Sequence, residues 1–329
     1  MNIEMLSGKT ILITGATGLI GSNLITALAD ENKKINTPIY IIGLVRDRIK
    51  AQHMFGNIPH TRLVVGDVTD HIDIEESIDY IIHAASQTSS KYFISNPVET
   101  IDVAVQGTRN LLELAKEKKV SSFVYLSTME VYGSPTSDEK INEKYQTNLD
   151  TMEVRSSYPE SKRLCECLCT SYFTQYGVPA KVVRLTQTFG PGVSYNDGRV
   201  FAEFARCVIE GKNIILHTKG ETRRCYLHSK DAVEAIFTVL LHGENGEAYN
   251  AANEDTYCSI AQMAQMVADV SAHGKIEVRF EIEKSNGYGY APVQRMNLDT
   301  SKLKSLGWKP KYGLEDMFLS LIEDLRTKS

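Results

Sequence analysis

A compact apolar run, Thr10–Ile13, passes directly into Thr14-Gly15-Ala16-Thr17-Gly18-Leu19-Ile20-Gly21, and a helical pattern begins inside that motif and reaches about Ala29. The spacing carries a physical meaning. Gly15 permits a tight turn, Gly18 lets backbone amides approach a pyrophosphate, and Gly21 allows close packing of the helix on the sheet. The helix N-terminus then offers free N–H groups and a partial positive charge to an anion. Glycines alone could mark a purely structural turn. A strand before them and a helix after them favour nucleotide binding, with Thr17, Leu19 and Ile20 completing the cradle.

Beyond this motif the first half of the chain alternates short β-like runs with helical stretches. Ile39–Val45, Arg62–Val65, Tyr80–His83, Phe123–Ser127 and Lys181–Leu185 read as strands, with residues 30–38 as a loop. Val105–Lys118 and Pro159–Tyr176 read as helices between them. This alternation predicts an α/β domain whose parallel sheet is covered by helices on both faces. The second half reads as a smaller mixed α/β lobe, with helices at Arg199–Glu210, Asp231–Leu241, Ile260–Val270 and Leu314–Leu325 and short strands near 214–216 and 247–250. The expected division is a cofactor domain over 1–190, with segments around 223–250 returning to it, and a substrate lobe formed mainly by 191–329.

The 329 residues carry a formal net charge of −5, which supplies no global attraction to nucleic acid or an anionic membrane. No apolar run is long enough to span a bilayer, and the start lacks the features of a signal peptide. Six cysteines are too sparse for a disulfide scaffold, and Cys165, Cys167 and Cys169 are spaced poorly for a metal. A cytoplasmic protein with free thiols and no metal is expected.

Two constellations carry chemistry. Tyr158-Pro159-Glu160-Ser161-Lys162 places a phenol and an ammonium four residues apart on one helix face. A nearby cation favours the phenolate, which can remove a hydroxyl proton while hydride leaves the same carbon for a nicotinamide. The strand from Phe123 ends in Ser127-Thr128-Met129-Glu130, at the edge where open α/β sheets bind ligands. Thr128 suits a hydrogen bond to a substrate oxygen, and Glu130 suits proton abstraction beside a carbonyl, although its residue type alone fits a solvated loop acid. The second strand ends in Val45-Arg46-Asp47: Arg46 could accept the 2′-phosphate of NADP, Asp47 could serve NAD, and Arg46 could equally be a solvated charge. NAD is expected, with NADP kept open by Arg46.

Taken in order, these residues resemble the extended short-chain dehydrogenase/reductase family, in its NAD-dependent nucleotide-sugar epimerase/dehydratase branch. The resemblance spans nearly the whole chain: Gly15/Gly18/Gly21, Gly66-Asp67-Val68-Thr69-Asp70, His83-Ala84-Ala85-Ser86, Gly107-Thr108, Ser127–Gly133, Tyr158/Lys162, Arg184 through Gly190-Pro191-Gly192, Arg224-Cys225-Tyr226, Tyr249-Asn250 and Leu306-Gly307-Trp308-Lys309-Pro310. It implies a Rossmann-like doubly wound parallel sheet with a smaller C-terminal lobe for a nucleoside diphosphate sugar. It also implies Asp67 and Val68 near the adenine, Ala84, Ala85, Ser86 and Ser127 along the cofactor, and a homodimer built on the helix after residue 97 and the one bearing Tyr158. Arg224 resembles the residue that pairs with the substrate's diphosphate, with Gln187, Arg199 and Arg295 as further substrate contacts.

In this branch the sugar's C4 hydroxyl is oxidised transiently, and a Glu at the position of Glu130 accompanies chemistry at C5: 4,6-dehydration, decarboxylation or epimerisation. Met129 stands where dehydratases carry an Asp acid, so loss of a C6 hydroxyl would need another donor. Gln187 and Phe189 stand where Asn and Tyr are usual, and Ala104 where Asn is usual. Two other readings remain, an NADPH-dependent net reductase of a keto-sugar or other carbonyl compound and a non-catalytic cofactor-binding sensor.

Overall fold

The computed structural model describes residues 3–282 and 293–327, so parts of the expected second lobe, 283–292 and 328–329, lie outside the described residues. The strands are β1 (Thr10–Thr14), β2 (Tyr40–Val45), β3 (Thr61–Val65), β4 (Tyr80–His83), β5 (Ser122–Thr128), β6 (Ala180–Leu185), β7 (Gln187–Phe189), β8 (Ile214–Leu216), β9 (Arg223–His228), β10 (Ala248–Ala251), β11 (Asn253–Ser259), β12 (Val278–Phe280) and β13 (Arg295–Met296). The helices are α1 (Leu19–Asn32), α2 (Arg48–Phe55), α3 (Ser90–Ser95), α4 (Pro97–Lys118), α5 (Ser157–Tyr176), α6 (Val200–Glu210), α7 (Ser229–His242), α8 (Ile260–Met266), α9 (Ser301–Ser305) and α10 (Leu314–Arg326).

Seven strands form one sheet in the order β3-β2-β1-β4-β5-β6-β10, and every neighbouring pair is parallel. The central strands are buried on both faces because helices cover both: Ile11, Leu12 and Ile13 of β1 and Ile81 and Ile82 of β4 are all at 0% exposure. On one face α1 and α7 bury Leu24, Ile25, Leu28, Ile236 and Val239. On the other, α4 and α5 bury Leu111, Leu112, Cys165 and Cys169. The strand expected at 247–250 is β10, the edge of this sheet, hydrogen-bonded to β6.

Helices α1 and α4 are among those that exceed their sequence bounds. Helix α1 runs to Asn32, three residues past Ala29, with Lys33–Asp30 and Lys34–Glu31 ion pairs one turn apart at its end. Helix α4 begins at Pro97 rather than Val105, with proline in its first turn where a missing N–H costs nothing.

A second sheet joins β11, β9 and β13, with β7 also pairing to β9, and β8 pairs with β12. Helices α6, α8 and α10 pack over this part of the chain through Phe201, Phe204, Met263, Phe318 and Leu321. Among the described residues no helix is long and apolar enough to cross a membrane, and no cluster of His, Cys, Asp and Glu could hold a metal ion.

Candidate active site

The glycine turn joins β1 to α1 at the C-terminal edge of the sheet. Gly15 has φ +63°, and a Cβ there would lie 2.7 Å from the Ala84 carbonyl oxygen. Gly21 has a reason different from the expected one. A Cβ on Gly21 would lie 2.2 Å from the Gly15 carbonyl oxygen, so its bareness lets the helix close on the turn itself rather than on the sheet. Gly18 is the N-cap of α1 and provides no side-chain cap, which leaves the first-turn N–H groups of Leu19, Ile20 and Gly21 available to a ligand. Thr17 is half-buried beside them.

The next strand ends complete the same rim. Ala85 donates its N–H to Thr14 Oγ1 at 3.1 Å, tying the 84–86 segment to the turn. Beneath it His83 is held between Thr14 (2.8 Å) and Thr108 (3.2 Å), and burial lowers its pKa to about 3, so it is a neutral structural group. Ser86 donates to the Gln87 carbonyl. Asp67 accepts from the Thr69 amide and hydroxyl, and Val68 fits against bare Gly107, where a Cβ would lie 2.7 Å from Val68 Cγ2. Arg46 is exposed and lies 3.8 Å from Asp67, while Asp47 caps α2 by accepting from Lys50. The Asp47 carboxylate is therefore already used locally.

Tyr158 and Lys162 lie one turn apart on α5, below the end of β5. Tyr158 is 8% exposed, and its pKa is raised, first by burial and then by the Glu130 charge, against the opposing effects of the Thr128 hydroxyl, Arg155 and Arg199. Lys162 does not bond to the phenol in this structure. Its Nζ donates to the Leu126 carbonyl at 2.8 Å, lies 5.9 Å from the Tyr158 ring centroid, and has its pKa lowered by burial to about 8. Lys162 is thus desolvated and directed at the strand end, with its ammonium close to the phenol ring.

Thr128 ends β5 and accepts from the Glu130 amide at 3.3 Å, which turns the chain so that Glu130 faces Tyr158. Arg155 donates to Glu130 Oε2 at 2.7 Å and lies over the Phe93 ring at 4.8 Å, while Phe93 stacks on Tyr158. Sequence reasoning missed both Arg155 and Phe93. Phe93 comes from α3 and Arg155 from the turn before α5, and neither shares a periodic signal with Tyr158.

Met129 is 6% exposed and points into an apolar cluster with Val131, Ile141 and Met296, its sulfur accepting from Thr186. It presents no proton donor. The Ser127 hydroxyl also turns away, donating to Glu166 at 2.5 Å, and Glu166 is held by a two-pronged contact from Arg184.

The second-half arginines separate. Arg224 donates to Gln187 Oε1 at 2.9 Å, bringing these two expected substrate residues together. Arg199 caps its own turn through a bidentate pair with Asp197 and adds to the field at Tyr158. Arg295 pairs with Arg223 in the register of β13 on β9, hence on the face opposite Arg224, and its guanidinium binds Asp138. The expected joint grip of Arg224 and Arg295 is not formed. A cavity of about 880 Å³ bordered by Arg163, Glu166, Arg184 and Lys302 contains none of the four expected catalytic residues.

A glycine cradle at the end of a doubly wound sheet, with a Tyr–Lys helix beside it, is the arrangement of a dinucleotide-dependent enzyme of hydride chemistry. The chain belongs to the NAD dependent epimerase/dehydratase family, whose family model matches residues 11–252. Its cofactor is accordingly NAD. UDP-glucuronic acid decarboxylase 6 of Arabidopsis thaliana is 32% identical over 326 residues, covering 98% of this chain and 90% of that protein. UDP-glucuronic acid decarboxylase 1 of Xenopus tropicalis is 31% identical over 310 residues, covering 94% and 70%. Among solved structures, a UDP-glucose 4-epimerase from Thermotoga maritima with UDP-glucose superposes with TM-score 0.82 at 22% identity, covering 97% and 99%. A dTDP-glucose 4,6-dehydratase from Bacillus anthracis in complex with NAD gives 0.79 at 22%, covering 98% and 97%.

Proposed function

We propose that this enzyme decarboxylates a nucleoside diphosphate uronic acid through transient oxidation at C4. The observation that carries the reading is the Arg155–Glu130 ion pair beside Tyr158, next to a buried Met129 that supplies no acid for eliminating a C6 hydroxyl. Relatives named as UDP-glucuronic acid decarboxylases, aligned over nearly the whole chain, support the same outcome.

The residues fit NAD. The bare Gly15, Gly18 and Gly21 and the uncapped α1 N-terminus would hold its pyrophosphate, with Asp67 and Val68 at the adenine end and Ala84–Ser86 along its length. NAD held there would supply a reversible hydride acceptor for the chemistry at C4.

Tyr158 takes the C4 hydroxyl proton, and Thr128 holds that oxygen in place. A C4 ketone lies β to the carboxylate, so the C5–C6 bond breaks with its electron pair moving toward the C4 oxygen as CO2 leaves. Glu130, its side chain 35% exposed, relays a proton from solvent to C5. In this outcome Glu130 delivers a proton at C5 rather than removing one. Arg224 with Gln187 binds the diphosphate oxygens. Two copies pair through the adjoining faces of α4 and α5, where Val98, Ile101 and Leu164 are 63%, 40% and 47% exposed.

Incubation with UDP-glucuronic acid and NAD tests the reaction. The expected result is CO2 in step with a five-carbon sugar nucleotide and no net NADH. A six-carbon product, or NADH formed in step with product, overturns it.

A further inference from the structure

We propose that Arg155 recognises the carboxylate on the sugar's C5 and thereby sets a preference for uronic acids over neutral hexoses. The inference rests on the decarboxylation reading and adds the residue that would select its substrate.

Arg155 lies in the short turn Val154–Ser156 that leads into α5, so the helix that carries Tyr158 also positions this guanidinium. Its Nη2 reaches Glu130 at 2.7 Å, and the group lies 4.8 Å from the Phe93 ring centroid and 6.0 Å from that of Tyr158. A guanidinium has five N–H donors in a planar fork. Among the described residues Glu130 is its one hydrogen-bond acceptor, and the side chain is 37% exposed, so an edge of the fork remains for a ligand. Contact with Phe93 restrains the fork, which lowers the entropy lost when a carboxylate docks on it.

Neighbouring cations are otherwise engaged. Lys162 is buried against the Leu126 carbonyl, Arg199 is bidentate with Asp197, and Arg163 meets Glu160 and the Val131 carbonyl. Arg155 is therefore the cation beside Tyr158 that both reaches Glu130 and keeps donors to offer. The chemistry follows. The C5–C6 bond breaks, its electron pair passes toward the C4 oxygen, C6 leaves as CO2, and C5 takes a proton relayed from water by Glu130. The product has lost the charge that Arg155 binds, so the contact favours substrate entry and product release.

Binding calorimetry with NAD-loaded protein tests the assignment, in a Tyr158→Phe background that blocks turnover. The probes are UDP-glucuronic acid and UDP-glucose. The expected preference for the uronic acid is about tenfold or more, or about 1.4 kcal/mol. Adding Arg155→Met should erase it while UDP-glucose affinity stays within about twofold, and Arg155→Lys should keep part of it. Equal weakening of both ligands, a preference that survives Arg155→Met, or no preference in the background protein overturns the proposal. If the intact enzyme releases no CO2, the functional reading itself fails. CO2 release together with a surviving preference refutes the role of Arg155 alone.

Discussion

Phe93 lies flat against Tyr158, with ring centroids 4.2 Å apart and planes 7° from parallel. Phe93 is 1% exposed, so α3 fixes the phenol from one side while α5 carries it from below. Phe93→Leu keeps an apolar side chain but removes the stacked ring, worth about 0.5–1.5 kcal/mol beyond area burial. The expected outcome is a melting point lowered by a few degrees and a fall in kcat of about tenfold, with NAD affinity unchanged in a titration. Full kcat would show that the stack does not position the base.

Gly21 packs against the turn that precedes it. A methyl group there would overlap the Gly15 carbonyl, so Gly21→Ala must displace either the helix or the cradle. Overpacking of this kind costs about 1–3 kcal/mol. Fluorescence titration should show NAD affinity reduced at least about tenfold, a larger effect than Ala substitution at exposed Gly18.

Lys181 sits at the opposite end of the sheet, 4% exposed, with Ser122 as its hydrogen-bond partner at 2.6 Å. Burial lowers its pKa from an ordinary 10.5 to about 8. Between those values the unfolded chain still holds the proton that the folded chain has released, so this group makes stability rise with pH. Below about pH 8 both states are charged and its unfavourable contribution is constant. Urea unfolding should show the stability of the parent relative to Lys181→Met increasing by on the order of 1 kcal/mol from pH 7 to pH 10. A constant difference would place the ammonium in better solvation than the fold indicates.

Leu164, Val98 and Ile101 expose apolar surface on two packed helices. Leu164→Glu would place a charge in the proposed dimer face at a cost that breaks association. Light scattering should give a dimer for the parent and a monomer of unchanged secondary structure for the variant. A monomeric parent would rule out pairing through α4 and α5.

The sheet was legible in the sequence where burial on both sides left apolar runs, as in β1 and β4. Helix α4 was legible only from Val105, because Val98 and Ile101 face outward and interrupt the apolar periodicity that marks a core-facing helix. The site was legible as residue types at strand ends, but its pairings were not. Arg155 and Glu130 lie 25 positions apart and meet only because two loops converge over Phe93. Arg295 and Arg224 carry the same charge and lie on paired strands, yet the register puts them on opposite faces, which a one-residue offset decides. Lys162 has the expected spacing from Tyr158, but its rotamer is set by the Leu126 carbonyl, a backbone group without a sequence signal.

A C4 ketone formed at Tyr158 leads to bond breaking at C5 in the proposed reaction. Turnover of UDP-glucuronic acid in deuterated water, read by mass spectrometry and proton NMR, is the decisive measurement. The expected result is one deuterium at C5 of a five-carbon product, none at C4, and a turnover rate reduced about 10²–10⁴-fold in Glu130→Gln. A product without deuterium at C5, or a Glu130→Gln variant with the parent's rate, would contradict it.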